Sequence, residues 1–276
     1  MRKGGRVAAA FLLAVALCTA THGARAETDE ANQDQDSYIL AALAKPASGQ
    51  PGQSSASQIS ANQEQARLLL FSNSDFWRQG GFTYGGLLWA PSGLDREGPV
   101  LKLIFGGGVY YYLSGALGNA DVRGEELAGS VLPGWRFVRN GFTITTFLGY
   151  DFQQHRLTPD DPSAGLHGRY SGARAGFELW YEPTATTMVA ADASVSTIGP
   201  SYNVRLATGW RAFDAFYVGP EVQAFGADDN YRQFRAGLHV TGFRTGQFEW
   251  STGVGWADDT DHHSGAYGKL GVFTRR

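Results

Sequence analysis

The sequence predicts an all-β protein: an antiparallel, up-and-down transmembrane β-barrel of about 12 strands that covers residues 66–276. Three observations predict this fold class. Apolar and polar residues alternate with a period of two over long stretches. Glycine, which occurs 37 times in the 276 residues, interrupts nearly every stretch. Short turns and longer polar loops alternate between the stretches, which is typical of barrels from bacterial outer membranes.

The alternation is clearest between Val204 and Trp210. Val204, Leu206 and Trp210 fall on one face, whereas Arg205 and Gly209 fall on the other, as expected for a two-faced strand. The same criterion applied along the chain gives twelve strands, and no ten-residue segment after residue 66 has helical spacing of its apolar residues. The predicted strands cover residues 66–74, 78–90, 99–113, 122–137, 142–154, 168–183, 186–198, 201–212, 215–227, 230–245, 247–258 and 265–274.

The connections favour an up-and-down order of the strands. They are short after the fourth, sixth, eighth and tenth strands and long and polar after the third, fifth and eleventh, so that turns gather at one end and loops at the other. The loop after the second strand, residues 90–98, is longer than this rule prefers, and the loops after the seventh and ninth strands are shorter. Pro133 and Pro220 lie inside predicted strands, where each lacks a backbone donor and so predicts a bulge or a strand end.

The charged residues indicate which face is inside. An Arg or Lys side chain that faces lipid at mid-bilayer costs about 2–4 kcal/mol, so the charges should face the lumen. Such charges could pair as a salt-bridged core that closes the barrel, or Arg174, Arg205 and Arg235 could line a passage for an anionic or hydroxyl-rich solute. The predicted lumen-lining residues are Lys102, Arg174, Glu178, Arg205, Glu221, Arg235, His239, Glu249 and Lys269.

A water-soluble β-sandwich would show the same alternation, with its aromatic face turned inward. The barrel is favoured because the strands are about ten residues or longer and because aromatic residues gather at strand ends, where membrane barrels carry interfacial girdles. The predicted girdle residues are Trp89, Tyr110 to Tyr112, Trp135, Tyr150, Tyr181, Tyr202, Trp210 and Trp256.

The first 65 residues differ from the rest in composition. Residues 1–26 have a basic start, an apolar core over 7–20 and a small-residue cleavage motif, Ala24-Arg25-Ala26, which predict a secretory signal peptide. The only cysteine, Cys18, lies in this segment, so the mature chain should contain no thiol. Residues 27–65 are rich in Ala, Ser, Gln and acidic residues and are expected to form a flexible periplasmic arm. The predicted localisation is the bacterial outer membrane.

Charge and motif content exclude several classes of function. The chain has 23 Lys and Arg against 26 Asp and Glu, with no basic run, so no nucleic-acid partner is expected. The cluster of Asp and His residues at 258–263 lacks the spacing of a defined metal site, and we expect no metal and no cofactor. His239 is the one histidine placed within a predicted strand, no motif links a histidine to a serine, and G-x-S-x-G is absent. No catalytic residue and no enzymatic activity are therefore expected.

Five sequence pieces match a known family in order and spacing. They are Gly149–Asp151, His155–Pro162, Gly219–Glu221, Tyr231–Gly237 and Tyr267–Gly268. Over residues 76–274 the sequence resembles the cellulose biosynthesis protein BcsS family. The resemblance implies an outer-membrane β-barrel that is accessory to bacterial cellulose production and has no established enzymatic activity.

On this basis we expect a non-enzymatic accessory protein of cellulose (exopolysaccharide) biosynthesis, export or surface organisation. Its expected partners are outer-membrane lipid and lipopolysaccharide, together with cellulose or other proteins of the cellulose system. The loop with His155, Pro159, Asp160 and Asp161 is the predicted contact for a partner or a glycan. The alternative function is a narrow outer-membrane channel for oligosaccharides or small anions. A third, lipid hydrolysis, would require His239 to act with a nearby serine.

Overall fold

A computed structural model describes residues 66–227 and 231–276. The predicted signal peptide, residues 1–26, and the predicted arm, residues 27–65, lie outside the described residues. The strands are β1 (Leu68–Trp77), β2 (Gly80–Trp89), β3 (Gly98–Ser114), β4 (Ala120–Arg139), β5 (Phe142–Thr158), β6 (Gly168–Thr184), β7 (Thr187–Ser196), β8 (Ser201–Ala212), β9 (Phe216–Gly226), β10 (Arg232–Thr245), β11 (Phe248–Asp259) and β12 (Ser264–Arg275).

Each strand pairs antiparallel with the next, and β1 pairs with β12, so the sheet closes into a barrel. Closure leaves no unpaired strand edge. This confirms the prediction of an up-and-down antiparallel barrel with twelve strands. No helix within the described residues is long and apolar enough to span a membrane.

The two ends of the barrel differ in their connections. At the end where β1 begins and β12 ends, here called the terminal mouth, four turns contain only two or three residues: 140–141, 185–186, 213–215 and 246–247. The exception is the loop 90–97, in which the amides of Ala90 and Leu94 donate to the carbonyls of Arg67 and Ala66. The opposite end, the distal mouth, carries the longest loop, residues 159–167. The exceptional loop is long because it folds back against the start of β1.

Strands β3 to β6 are longer than a membrane crossing requires. They contain 17, 20, 17 and 17 residues. At ~3.3 Å per residue, β4 is ~66 Å long, which exceeds an apolar band of ~25 Å even when the strand is tilted by ~40°. Near the distal mouth the outer face of β4 carries Arg123 and Glu125, an exposed ion pair at 2.9 Å. The hairpins β3–β4 and β5–β6 therefore extend past the apolar band on this side.

The outer face of the barrel has a wide uncharged band. On β4 the outward positions from Leu127 to Phe137 contain no charged residue, and Val131, Trp135 and Phe137 are exposed. The same holds for the outward positions of β11 from Phe248 to Trp256. A wall with these properties is suited to hydrocarbon, because a lipid-facing charge would cost several kcal/mol.

Three hydroxyl groups on the outer face, those of Ser74, Thr83 and Thr252, bond within the wall. Ser74 on β1 and Thr83 on β2 bond to each other, with their oxygens 3.0 Å apart. On β11 the hydroxyl of Thr252 donates to the backbone carbonyl of Lys269 at 2.8 Å. In hydrocarbon, each hydroxyl without a partner would carry a desolvation cost, and these contacts avoid it.

Pro133 and Pro220 cause neither a bulge nor a strand end, so that prediction is wrong. The register of β4 with β5 is the same on both sides of Pro133, and the register of β8 with β9 is the same on both sides of Pro220. Each proline removes two residue pairs from one ladder and leaves the strand continuous. The register shift in β10 lies instead at Gly242, whose φ of 88° favours glycine.

Most predicted girdle residues lie on the outer face, but two do not. Tyr110 and Tyr112 point into the barrel, where they are 1% and 9% exposed. Strand alternation places only Tyr111 of this triplet outside. The outward-facing, exposed members are Trp89, Tyr111, Trp135, Tyr150, Tyr181, Trp210 and Trp256.

An apolar cluster fills the inside of the barrel near β1 to β5. Phe82 and Tyr84 of β2 contact each other, and Tyr110 stacks on Tyr112 with ring centroids 6.2 Å apart. Leu94 of the loop 90–97 belongs to the same buried cluster. The lumen thus holds a buried apolar cluster as well as buried charged groups, which alternation alone did not indicate.

Candidate functional site

All nine predicted lumen-lining residues lie on the inner face of the barrel. Each points inward, and each is shielded from solvent, with 0–7% of its surface exposed. They come from strands β3, β6, β8, β9, β10, β11 and β12. The barrel brings six of them into three ion-pair groups, each of which joins strands that are not consecutive in sequence.

The first group joins Lys102 on β3 to Glu178 on β6. The Lys102 Nζ lies 2.8 Å from the Glu178 Oε1, and both side chains are almost completely buried. The ammonium also lies over the ring of Phe147, 5.2 Å from its centroid, where a cation–π contact is favourable. Because β3 and β6 are three places apart around the barrel, this pair crosses part of the lumen.

The second group is centred on Glu221 of β9. Its carboxylate is 2.8 Å from Arg205 and accepts a hydrogen bond of 3.0 Å from the hydroxyl of Tyr267. The Lys269 ammonium is 3.9 Å from Glu221, and Arg205 also lies 3.6 Å from Asp192. Two cations and two carboxylates therefore share one buried network.

The third group joins Arg235 on β10 to Asp75 on β1. The Arg235 Nη1 is 2.8 Å and 2.7 Å from the two carboxylate oxygens of Asp75. The Arg235 Nε donates to Gln233 at 2.6 Å, and the guanidinium lies 4.9 Å from the centroid of the Phe225 ring. Sequence reasoning missed Asp75, although its inward position among the alternating residues of β1 was a usable signal.

Two further predicted residues pair outside these groups. Arg174 lies 3.8 Å from Asp151, a carboxylate that also accepts hydrogen bonds from the hydroxyls of Ser130 and Ser196 at 2.6 Å and 2.7 Å. Glu249, near the terminal mouth, pairs with Arg244 at 2.9 Å. Each of these two buried residues thus has a partner of opposite charge, as the burial of a charge requires.

His239 bonds to a backbone carbonyl and to a threonine hydroxyl. Its Nε2 lies 3.0 Å from the carbonyl oxygen of Thr208, and its Nδ1 lies 3.0 Å from the hydroxyl of Thr241. Thr208 faces Pro220 across β8 and β9, at the point where the pairing of these strands is interrupted. Since Pro220 has no N–H, the imidazole donates to the carbonyl that the ladder leaves open.

The loop 159–167 covers part of the distal mouth. The carboxylate of Asp161 is buried and accepts hydrogen bonds from the Tyr112 hydroxyl at 3.0 Å and from the amide and hydroxyl of Ser163 at 2.9 Å and 2.7 Å. Pro159 and Asp160 are exposed, and Asp160 lies 3.2 Å from His167. Asp161 therefore anchors the loop, while the pair Asp160–His167 faces outward.

His155 and Asp161 are not available to an external partner, in contrast to their predicted role as contact residues. His155 lies in β5, is buried, and its Nε2 is 3.1 Å from Gln153. The alternation of β5 turns this side chain into the lumen, and the anchoring of the loop turns Asp161 inward. Of the four predicted contact residues, only Pro159 and Asp160 are on the surface.

The stability of the folded loop 159–167 should depend on pH, because its anchor is the carboxylate of Asp161. Burial alone would raise the pKa of Asp161, but hydrogen bonds from Ser114, Ser163 and Tyr112 lower it from 3.8 to about 2. The carboxylate therefore stabilises the folded loop fully above pH ~4, and this contribution is lost as the pH falls through about 2. We expect the protection factors for amide hydrogen exchange in residues 159–167, which correct for the slower intrinsic exchange in acid, to fall over that range in the wild type. Asp161→Asn should show low protection at every pH, and a wild-type acid response in this variant would contradict the assignment.

Asp259, Asp261 and His263 form the one group of possible metal ligands found among the described residues. One ligand atom of each lies within 4.8 Å of the others. The Asp259 Oδ1, however, already accepts the amides of Asp261 and His263 at 3.0 Å and 2.8 Å. These bonds close the turn between β11 and β12.

Comparison with known proteins identifies one family. A family model described as "Cellulose biosynthesis protein BcsS" matches residues 69–276. No curated protein is significantly similar to the chain in sequence.

Several solved structures share the barrel architecture at low identity. The KdgM porin in complex with disordered oligogalacturonate is 10% identical, with a TM-score of 0.41 over 75% of this chain and 98% of the porin. The translocator domain of the autotransporter NalP from Neisseria meningitidis is 13% identical, with a TM-score of 0.45 over 79% and 90%. The CymD monoaromatic hydrocarbon channel is 8% identical, with a TM-score of 0.43 over 88% and 99%.

Proposed function

The chain belongs to the cellulose biosynthesis protein BcsS family, and from this premise we propose that it is a non-enzymatic outer-membrane accessory protein of bacterial cellulose production. It assists the biosynthesis, export or surface organisation of the polysaccharide. The link to cellulose rests on the family, whereas the proposed membrane location and the blocked lumen rest on the side chains of the barrel.

The proposed membrane location is supported chiefly by the uncharged band on the outer face of the barrel. A closed barrel satisfies every backbone group internally, which a structure in hydrocarbon requires. The band on β4 and β11 adds a wall without charge, and its hydroxyls are bonded within the sheet. Short turns face the periplasm in bacterial barrels, so we assign the terminal mouth to the periplasm and the distal mouth to the cell exterior.

The ion pairs across the lumen support a lumen that is blocked by side chains, in preference to the open channel of the alternative function. Lys102–Glu178 and Arg235–Asp75 join strands three places apart, and Glu221 links β9 to β12 through Tyr267. An open pore would instead leave its charged lining in contact with water. Steady conductance of the purified protein in a planar lipid bilayer would contradict closure and favour the channel.

The surroundings of His239 support the absence of hydrolysis. A serine hydrolase needs a histidine that hydrogen-bonds the nucleophile and is oriented by a third group. Both nitrogens of His239 are instead engaged by Thr208 and Thr241. This leaves neither nitrogen to take a proton from a serine.

The exposed pair Asp160–His167 is the proposed contact for a partner at the cell surface. We expect the double variant Asp160→Ala/His167→Ala to lower the cellulose that cellulase releases from the cell surface, because a contact surface is lost while the anchor Asp161 stays. The matched control is Arg139→Ala/Glu97→Ala, which removes an exposed pair of 3.3 Å between Arg139, near the terminal mouth, and Glu97 of the loop 90–97.

The outcomes of this experiment separate two claims. Normal surface cellulose in cells that lack the protein altogether would contradict a role in cellulose production. A loss of cellulose in those cells, with normal cellulose in the Asp160→Ala/His167→Ala variant, would contradict only the assignment of the loop. Band shifts between boiled and unboiled samples on gels check that each variant barrel folds.

A further inference from the structure

A groove is present in the outer wall near the terminal mouth. It has a volume of about 390 Å³ and is open to the outside of the barrel. It follows the register shift at Gly242, which offsets Phe243 from the regular alternation of β10. The lining residues are Val240, Phe243 and Thr245 of β10, Trp250, Ser251 and Thr252 of β11, and Leu270 of β12.

The polar atoms around this groove are turned away from it. The Thr252 hydroxyl donates to the Lys269 carbonyl, and the Trp250 indole N–H donates to the Thr245 hydroxyl at 2.6 Å. The nearest charged residues of β10 and β11, Arg244 and Glu249, pair with each other at 2.9 Å. The remaining surface of the groove is apolar and is therefore suited to a ligand without polar groups.

The groove is continuous with the uncharged outer band of β11, which includes the exposed Val254 and Trp256. If the band lies in hydrocarbon, lipid chains are the molecules present at this depth at high concentration. An aromatic chain of contacts, Phe213–Phe216–Phe243, flanks the groove on the side of the terminal mouth, with ring centroids 6.1 Å and 6.0 Å apart. Aromatic residues at this level are typical of the membrane interface.

We propose that this groove binds one acyl chain of a phospholipid from the periplasmic leaflet. The inference rests on the proposed membrane location and adds a defined lipid site to it. Phe243, Trp250 and Thr252 line the groove from β10 and β11, and Leu270 lines it from β12. The site differs from the rest of the lipid-facing surface because residues of three neighbouring strands line one depression.

Native mass spectrometry tests the site directly. The purified barrel is mixed with 1-palmitoyl-2-oleoyl-phosphatidylethanolamine in detergent, and the retained lipid is counted. We expect one retained phospholipid in the wild type. Thr252→Phe places a large ring in the groove and Phe243→Ala removes a lining ring, so both should weaken retention by about tenfold or more, the effect of leaving a few methylene groups unburied.

Val254→Phe is the matched control, since Val254 is two residues further along the outer face of β11, is 60% exposed, and does not line the groove. It should retain lipid like the wild type. Equal retention by Thr252→Phe, Phe243→Ala and the wild type would overturn the site and leave only non-specific lipid contact. Dimers of the wild type that Thr252→Phe abolishes would identify a second barrel as the occupant and would also overturn it. Failure of the wild type to enter lipid vesicles at all would instead contradict the proposed location.

Discussion

Replacing Asp75 with leucine should destabilise the barrel by about 3–5 kcal/mol, the largest effect expected from a single side chain of the lumen. Both carboxylate oxygens of Asp75 bind Arg235, and the two side chains are almost fully buried. Removal of one partner leaves a buried guanidinium without its counter-charge, which costs more than the pair itself contributes. Unfolding in urea, followed by tryptophan fluorescence in lipid vesicles, measures the change.

Two controls isolate the charge effect. The double variant Asp75→Leu/Arg235→Met should recover a large part of the lost stability, because both charges of this pair are then removed. Glu125→Ala removes a carboxylate from the exposed pair with Arg123 and should change stability by less than about 1 kcal/mol. Equal losses from Asp75→Leu and the double variant would show that shape, and not charge, determines the effect.

The fold could be predicted from the sequence because its main determinant is local. Alternation assigns each side chain to one face, and the cost of a lipid-facing charge then decides which face is inside. Lys102, Glu178 and Glu221 follow this rule, and the twelve predicted segments correspond to the twelve strands of the structure. The bounds differ most in β1, which was expected at residues 66–74 and spans Leu68–Trp77.

The parts that could not be predicted depend on contacts between distant strands. Asp75 and Arg235 are 160 residues apart, and nothing in either strand indicates that the closed sheet brings them together. The inward turn of Asp161 depends likewise on Tyr112, which β3 presents at the distal mouth. For Tyr110 the signal was available: alternation within β3 separates it from Tyr111, but grouping the triplet as one aromatic girdle obscured that.

The proline in β9 shows how a local rule can be overridden by such a contact. A proline in a central strand argues for a bulge, because its missing N–H leaves a carbonyl unpaired. Here His239 of β10 reaches across β9 and donates to that carbonyl, on Thr208. The strand stays regular because a side chain replaces the absent backbone donor.

His239→Ala should therefore destabilise the barrel by about 1–3 kcal/mol through the orphaned Thr208 carbonyl, with a further loss from the vacated volume. Pro220→Ala introduces a backbone N–H opposite that carbonyl and should restore part of the stability in the His239→Ala background. In an otherwise wild-type barrel the same substitution should have a small effect, because His239 already occupies the carbonyl. A double-mutant cycle measures the difference as a coupling free energy.

His155→Ala provides the comparison, since His155 is also buried but lies on β5 and bonds Gln153. Its cycle with Pro220→Ala should show additive effects. Coupling confined to His239 would establish that this histidine replaces the missing ladder bond, whereas additivity at both histidines would mean that the Thr208 carbonyl finds another donor. Both nitrogens of His239 are bonded, to the Thr208 carbonyl and the Thr241 hydroxyl, so the effect of its replacement is expected on the free energy of unfolding.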